Sequence, residues 1–162
     1  MGYAGANLGK NESLISTASI NMIAILPNAI LAVLVLVICA SVGGFFVGLI
    51  AAALIVGIKL LRMKTTELAL TNKKIVGKVG VISTKVMDSP LNKINNISVE
   101  QGLGGKIFGY GKIVITTSTG NYNFDFISQP DVFRSSVMNQ IDAFDEERIR
   151  KQAEELAGAM KR

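Results

Sequence analysis

Residues 22–58 have the sequence MIAILPNAILAVLVLVICASVGGFFVGLIAAALIVGI and contain no charged residue. Gly43 and Gly44 lie near the middle of this run. Because roughly 20 helical residues cross a bilayer core of about 30 Å, the run is too long for one crossing and suits two short ones. We therefore predict a transmembrane helical hairpin over residues 22–63, with helices at about 22–40 and 45–61. The alternative is a helical hairpin buried in a soluble protein, but a chain of 162 residues could hardly cover so long an uncharged run.

Three cations follow the hydrophobic run: Lys59, Arg62 and Lys64. Basic residues beside a transmembrane helix favour the cytoplasmic side of the membrane. A hairpin returns the chain to the side from which it entered, so the segment before it should also be cytoplasmic. We therefore predict a multi-pass protein of the cytoplasmic (inner) membrane, with both termini and the domain after the hairpin in the cytoplasm.

The chain after residue 64 changes to short runs rich in β-branched residues, separated by Gly, Asn and Pro. This pattern is typical of short antiparallel strands in a small barrel or sandwich. We expect strands at residues 65–71, 74–81, 83–88, 94–99, 112–117 and 122–127. Residues 101–111 are the most glycine-dense segment, and we expect a loop or a sharply bent connection there. For residues 12–20 the pattern allows either an amphipathic strand or a lead-in to the first helix.

A C-terminal helix is predicted to begin near Pro130, because Pro and Asp131 both suit the first turn of a helix. Apolar residues then recur at helical spacing at Phe133, Val137, Ile141 and Phe144, which indicates one face packed on the strands. A second stripe with charged flanks follows at Ile149, Ala153, Leu156 and Met160. It is either a solvated extension or a seam for another helix.

These elements predict an α+β protein in which a transmembrane helical hairpin precedes a small antiparallel barrel or sandwich with a long C-terminal α-helix. The expected segments are an N-terminal segment (1–21), the hairpin (22–63), the domain (64–144) and a helical extension (145–162).

Three motifs in the predicted domain resemble those of the bacterial pleckstrin-homology-like (PH-like) domain family. They are TELALTNKKI at residues 66–75, PLNKI at residues 90–94 and VEQGLGGKIFGYG at residues 99–111. The resemblance implies a PH-like barrel capped by its C-terminal helix, and many members of the family carry a membrane hairpin just before the domain. One departure is that Gly104-Gly105-Lys106 replaces the usual Leu-Gly-Arg. The planar guanidinium group, which can donate two parallel hydrogen bonds, is therefore lost.

The residue content disfavours catalysis and metal binding. The chain has no His, and its single Cys39 lies within the hydrophobic run. No glycine-rich segment has the spacing of a phosphate-binding loop. We therefore expect a non-enzymatic protein with no cofactor, no catalytic residue and no metal site. Nucleic acid is also not expected as a partner, because the lysines behind the net charge of +5 are scattered and not interleaved with aromatic residues.

Two functions remain after these exclusions, and both have membrane lipids as partners. The first is a membrane-anchored interaction and assembly module that forms a homo-oligomer, with an unidentified protein as a further candidate partner. Its candidate contact residues are Gly44 and Gly48, spaced for close helix packing, and the second stripe (Ile149, Ala153, Leu156 and Met160). The second function is a sensor of anionic lipids, whose candidate headgroup ligands are Lys59, Arg62, Lys64, Lys73, Lys74 and Lys78.

Overall fold

The computed structural model describes Gly9, residues 12–81 and residues 83–160. The described residues form seven strands: β1 (Leu14–Thr17), β2 (Glu67–Thr71), β3 (Lys74–Val79), β4 (Lys85–Pro90), β5 (Ile94–Glu100), β6 (Tyr110–Thr117) and β7 (Gly120–Ser128). The helices are α1 (Leu26–Ser41), α2 (Phe45–Lys64), α3 (Leu103–Phe108) and α4 (Pro130–Met160), with 3₁₀ turns at Met22–Ile25 and Leu91–Lys93. The predicted α+β class and the long C-terminal helix are confirmed.

The strands form two antiparallel sheets, one with the order β1-β2-β3-β4 and one with the order β5-β6-β7. The 3₁₀ turn Leu91–Lys93 carries the chain from β4 in the first sheet to β5 in the second. Of the two arrangements expected from the sequence, the closed barrel is wrong: the described strands make two separate sheets, because β4 and β5 do not pair.

The first strand precedes the hairpin in the chain and nevertheless belongs to the domain. In β1, Leu14 lies opposite Thr71 and Thr17 lies opposite Ala69. The chain then crosses to the other sheet, where the amide of Ser128 donates to the carbonyl of Ser19 over 2.8 Å. The hairpin is therefore inserted between β1 and β2. Of the two possibilities left open for residues 12–20, the strand is correct, while residues 1–8, 10 and 11 of the N-terminal segment lie outside the described residues.

The core lies between the two sheets and α4, where alternate residues of the strands point inward. Phe133 and Val137 of α4 are buried in this core, and Ile141 and Phe144 pack against its edge. The guanidinium of Arg134 donates to the carbonyl of Ile97 over 3.1 Å and ties α4 to β5. The first apolar stripe of the helix thus has the role that its spacing predicts. The core side chains from the strands are Leu68, Leu70, Ile75, Met87, Ile97, Ile113, Ile115, Phe124 and Ile127.

The hairpin consists of α1 and α2, joined by a turn at Val42, Gly43 and Gly44. Gly43 has a φ of +77°, a conformation that favours glycine. Gly48 of α2 is buried against α1, and a Cβ at this position would lie 2.7 Å from the Cβ of Cys39. Close packing within the hairpin therefore requires glycine at residue 48.

The glycine-rich segment 101–111 was expected to be a loop or a sharply bent connection. It does reverse the chain between the antiparallel strands β5 and β6, but it is helical over α3 and not a loop. Its glycines serve defined structural positions. Gly109 ends the helix in the left-handed conformation with a φ of +69°. A side chain at Gly105 would collide with the carbonyl oxygen of Tyr110. Glycine in this segment permits a helix end and close packing, which composition alone does not distinguish from flexibility.

Candidate functional surfaces

The outer surface of the hairpin is apolar and largely uncovered. The segments Met22–Ser41 and Phe45–Lys64 are each 20 residues long. In the apolar stretch of 18 residues within each segment, only 11% and 6% are buried. At 1.5 Å per residue each segment is about 30 Å long, the thickness of a bilayer core. Both helices thus meet the length and composition needed to cross a membrane.

Both ends of the hairpin are attached to one end of the domain, which we call the hairpin end. The amide of Asn21 donates to the carbonyl of Phe126 over 2.8 Å, and its side-chain nitrogen donates to the carbonyl of Phe108 over 3.0 Å. At the other end of the hairpin, Met63 is 2% exposed and the ammonium of Lys59 lies 4.1 Å from the centre of the Phe126 ring. The sequence assigned no contact to Asn21 or Phe126, because their partners are distant in the chain.

The opposite end of the domain, which we call the far end, contains the turn between β2 and β3 and the 3₁₀ turn Leu91–Lys93. β2 leads from the hairpin end to the far end over five residues, a length of about 17 Å. The two ends therefore present separate surfaces.

The six cations predicted to bind lipid headgroups are divided between these two ends. Lys59, Arg62 and Lys64 lie on the last turns of α2 at the hairpin end, where Arg62 and Lys64 are exposed. Lys78 is at the same end, opposite Glu67 in the register of β2 and β3. The remaining two are at the far end, where Lys73 lies in the turn between β2 and β3 and Lys74 is the first residue of β3. The structure thus does not bring the six side chains together on one face.

Lys74 belongs to an ion-pair network at the far end. Its ammonium lies 2.9 Å from a carboxylate oxygen of Asp88 and 3.7 Å from one of Glu12. The hydrogen bond to Asp88 holds the pKa of Lys74 above its ordinary value of 10.5, against the effect of burial.

The carboxylate of Glu12, which is 5% exposed, accepts hydrogen bonds from two further groups. The hydroxyl of Thr71 donates to it over 2.7 Å, and the amide of Gly9 donates over 2.6 Å. Burial raises the pKa of Glu12, but these hydrogen bonds and the charge of Lys74 outweigh it and leave the pKa below 4.5. The network attaches the segment before the hairpin to the far end of the domain.

An open cleft of about 930 Å³ lies at the far end, where α4 leaves the sheets. Cationic and anionic groups both line it, and the ring of Phe144 forms part of its wall. Its charged residues are Glu12, Lys73, Lys74, Lys93, Glu147, Arg148 and Lys151. The mixture of charges does not select one class of ligand. Among the described residues there is also no group of three or more His, Cys, Asp or Glu side chains that could hold a metal ion.

Beyond the cleft, α4 continues to Met160 without covering from the rest of the described chain, whereas Lys161 and Arg162 lie outside the described residues. Residues 146–160 are all exposed, and Ile149, Leu156 and Met160 are 61%, 63% and 87% exposed. Ion pairs at helical spacing support this extension, among them Lys151 with Glu147 at 2.6 Å. The second apolar stripe is therefore present on a helix and has no intramolecular partner among the described residues.

The other two residues predicted for self-association have partners within their own hairpin. A Cβ at Gly44 would lie 3.4 Å from the carbonyl oxygen of Cys39, and Gly48 also packs on Cys39. By contrast, a Cβ at Gly57 would meet no atom within 4 Å. Of the three glycines Gly44, Gly48 and Gly57, the one that remains open to another helix is therefore Gly57.

Residues 20–144 match the family model described as bacterial PH domain. The match includes the hairpin and the domain up to Phe144, and the chain belongs to the bacterial PH domain family. This confirms the resemblance noted in the three sequence motifs.

A solved structure is also similar to the chain, that of a DUF1696 family protein with a pleckstrin-homology domain from Shewanella loihica PV-4. The TM-score is 0.44 at 10% sequence identity, and the alignment covers 85% of this chain and 88% of the other. No curated protein matches the chain.

Proposed function

We propose that this protein is a membrane-anchored, non-enzymatic PH-like module that assembles with other copies of itself in the cytoplasmic membrane. The hairpin holds the domain at the cytoplasmic face, and the extension of α4 provides the contact between copies. The observation that carries the proposal is that the hairpin and this extension both leave apolar side chains uncovered. A bilayer covers the first, and a second helix covers the second.

The hairpin supports the membrane part of the proposal through its exposure and its attachment. A core helix of a soluble protein is mostly buried, whereas these two helices are not. Both ends of the hairpin leave the domain at the same side, so one surface of the domain faces the bilayer. Arg62 and Lys64 are exposed at that side, where anionic headgroups attract cations.

The extension of α4 supports self-association through its pattern. Ile149, Leu156 and Met160 lie along one face of a helix that already has ion pairs on its flanks. Such a stripe is typical of a helix that packs on another helix. In two copies anchored in the same membrane, these stripes would lie at the same distance from the bilayer surface. Confinement to that surface raises their effective concentration.

The mass of the purified protein in mild detergent tests the proposal. We expect an assembly larger than the 17.3 kDa monomer. Leu156→Glu should reduce the assembly, because it places a charge in the stripe. Gly158→Glu, which places the same charge on the opposite face of the helix, is the matched control and should leave the mass unchanged.

A contribution from the hairpin is tested separately with Gly57→Leu, because residue 57 is open whereas residue 48 packs inside its own hairpin. A reduced mass for this variant would assign part of the contact to α2. Monomer mass for the unmodified protein, unchanged by all three substitutions, would contradict self-association.

The second candidate function is the sensing of anionic lipids, and the observation in its favour is the cluster of Arg62 and Lys64 at the hairpin end. The position of Lys73 and Lys74 at the far end argues against a single six-residue site. Salt-dependent binding to anionic vesicles by a chain in which a short linker replaces residues 22–58, so that Lys59, Arg62 and Lys64 are kept, would favour this candidate. An assembly module needs no such affinity.

A further inference from the structure

The short helix α3 has an unusual distribution of side chains for a globular domain. Its largest apolar residues point outward: Leu103 is 85% exposed, Ile107 is 76% exposed and Phe108 is 46% exposed. The residue that it buries is Gly105, which packs on the backbone of Tyr110. A helix on the surface of a soluble domain normally places its apolar residues toward the core. The orientation of α3 is the reverse.

The position of α3 next to the start of the hairpin indicates what covers this face. The side chain of Asn21 donates a hydrogen bond to the carbonyl of Phe108, the last residue of α3. Asn21 also caps the 3₁₀ turn Met22–Ile25, with which the hydrophobic hairpin begins. Met22 and Ile23 in that turn are 57% and 42% exposed. The exposed apolar surface of α3 thus adjoins the exposed apolar surface of the hairpin.

We propose that α3 lies in the interfacial layer of the bilayer, with Leu103, Ile107 and Phe108 inserted beside the start of the hairpin. The partner is the lipid surface itself. Lys106 is exposed on the same helix, and its long side chain can carry the ammonium to the phosphate level. This inference rests on the proposed insertion of the hairpin, and it adds a contact between the membrane and the domain proper.

The inserted helix restricts the orientation of the domain. A hairpin alone attaches the domain along one line, about which the domain is free to tilt. A third contact at α3 removes this freedom and directs the far end, with its cleft and the extension of α4, away from the membrane. The glycines of α3 make this arrangement possible, because the close approach at Gly105 leaves the opposite face of the helix outward.

The test uses the full-length protein reconstituted in vesicles, with an environment-sensitive fluorophore on one introduced cysteine in a Cys39→Ala background. The labelled positions are Ile107→Cys in α3, Ile50→Cys in the hairpin and Thr119→Cys in the exposed turn between β6 and β7 at the far end. The vesicles contain lipids with a quencher placed either shallow or deep in the acyl chain. Residues 50 and 107 are 60% and 76% exposed, so labelling does not require a change in the core.

We expect quenching at residue 107 by the shallow quencher, at a depth of about 5–10 Å. The loss of fluorescence there should be at least about half of that at residue 50 with the deep quencher, while residue 119 should lose none. Leu103→Cys should behave as Ile107→Cys, which guards against a local effect of one label.

Two results overturn the inference and are distinguishable. Quenching at residue 50 without quenching at residues 103 and 107 would leave the hairpin in the bilayer and α3 outside it, so that a protein partner would cover α3. Absence of quenching at residue 50 would overturn the membrane insertion of the hairpin and this inference together.

Discussion

Glu12 lies before the hairpin in the sequence, but its carboxylate is held at the far end of the domain by Thr71, Gly9 and Lys74. A carboxylate with a pKa below its value in the unfolded chain stabilises the folded state above that unfolded value, and the stabilisation is lost as the pH falls through the folded pKa. For Lys74, whose pKa is raised, the contribution is present below pH 10.5 and is lost only as the pH rises through the folded pKa.

We therefore predict that Glu12→Gln lowers the urea midpoint of unfolding at pH 7, and that this deficit shrinks as the pH falls below about 4.5. Parallel urea titrations of both proteins in detergent at several pH values measure the difference. A deficit that stays constant between pH 7 and pH 3 would show that the carboxylate charge is not the cause.

Phe133 is the aromatic side chain that α4 contributes to the core, and it is 5% exposed. We predict that Phe133→Ala lowers the free energy of unfolding by about 3–5 kcal/mol, because it removes a buried ring and leaves a cavity. The adjacent Val132, which is 61% exposed, provides a matched control, and Val132→Ala should cost less than about 0.5 kcal/mol. Equal effects of the two substitutions in chemical denaturation would contradict the assigned face of the helix.

At the scale of elements, the proposed membrane insertion of the hairpin would determine the side of the membrane on which the domain lies. Its turn at residues 42–44 is the point most distant from the domain, and Val42 is 81% exposed. In a two-crossing topology this turn and the turn between β6 and β7 lie on opposite sides of the membrane.

We predict that a cysteine at residue 42, in a Cys39→Ala background, reacts with a membrane-impermeant thiol reagent in intact cells. A cysteine at residue 119 should react only after the membrane has been made permeable, because the cations at the end of α2 favour a cytoplasmic location for the domain. Reaction at residue 119 in intact cells would reverse the orientation.

At the scale of the whole molecule, the insertion of the hairpin between β1 and β2 makes the domain discontinuous in sequence. A fragment that begins at residue 64 lacks β1, and the edge of β2 then has no partner for its backbone groups. The domain was expected to span residues 64–144. In the structure it also includes β1, which precedes the hairpin.

We predict that a chain in which a short Gly/Ser linker joins residues 12–20 to residues 66–160 is more stable than the fragment 64–160 by at least about 2 kcal/mol. This is the contribution of roughly one large apolar side chain, because Ala18 and Ile20 pack on the core. The free energies of urea unfolding of the two soluble chains measure the difference. Equal stabilities would mean that β1 is not required for the fold.

Local patterns in the sequence determined most of the elements of this protein, with α3 and β1 as the exceptions. An uncharged run of double length predicted two helices with a turn at Gly43, and the structure has them at Leu26–Ser41 and Phe45–Lys64. The β-branched runs and their turn residues predicted the six strands after the hairpin, and the spacing of Phe133 and Val137 predicted the buried face of α4. These predictions succeed because hydrophobic periodicity and turn residues act over only a few neighbouring positions.

The tertiary structure alone decided how the elements are combined. β1 pairs with a strand that lies about 50 residues later in the chain, across the hairpin, and a strand of four residues carries no local signal for such a partner. The glycines at residues 105 and 109 indicate a loop by composition, but the contact with Tyr110 and the left-handed helix end require them in a helix. The division of the basic residues between two ends depends on the direction of β2 and β3. These three features all depend on contacts that form only in the folded chain. For this reason only the three-dimensional structure shows how the surfaces at the two ends of the domain are composed.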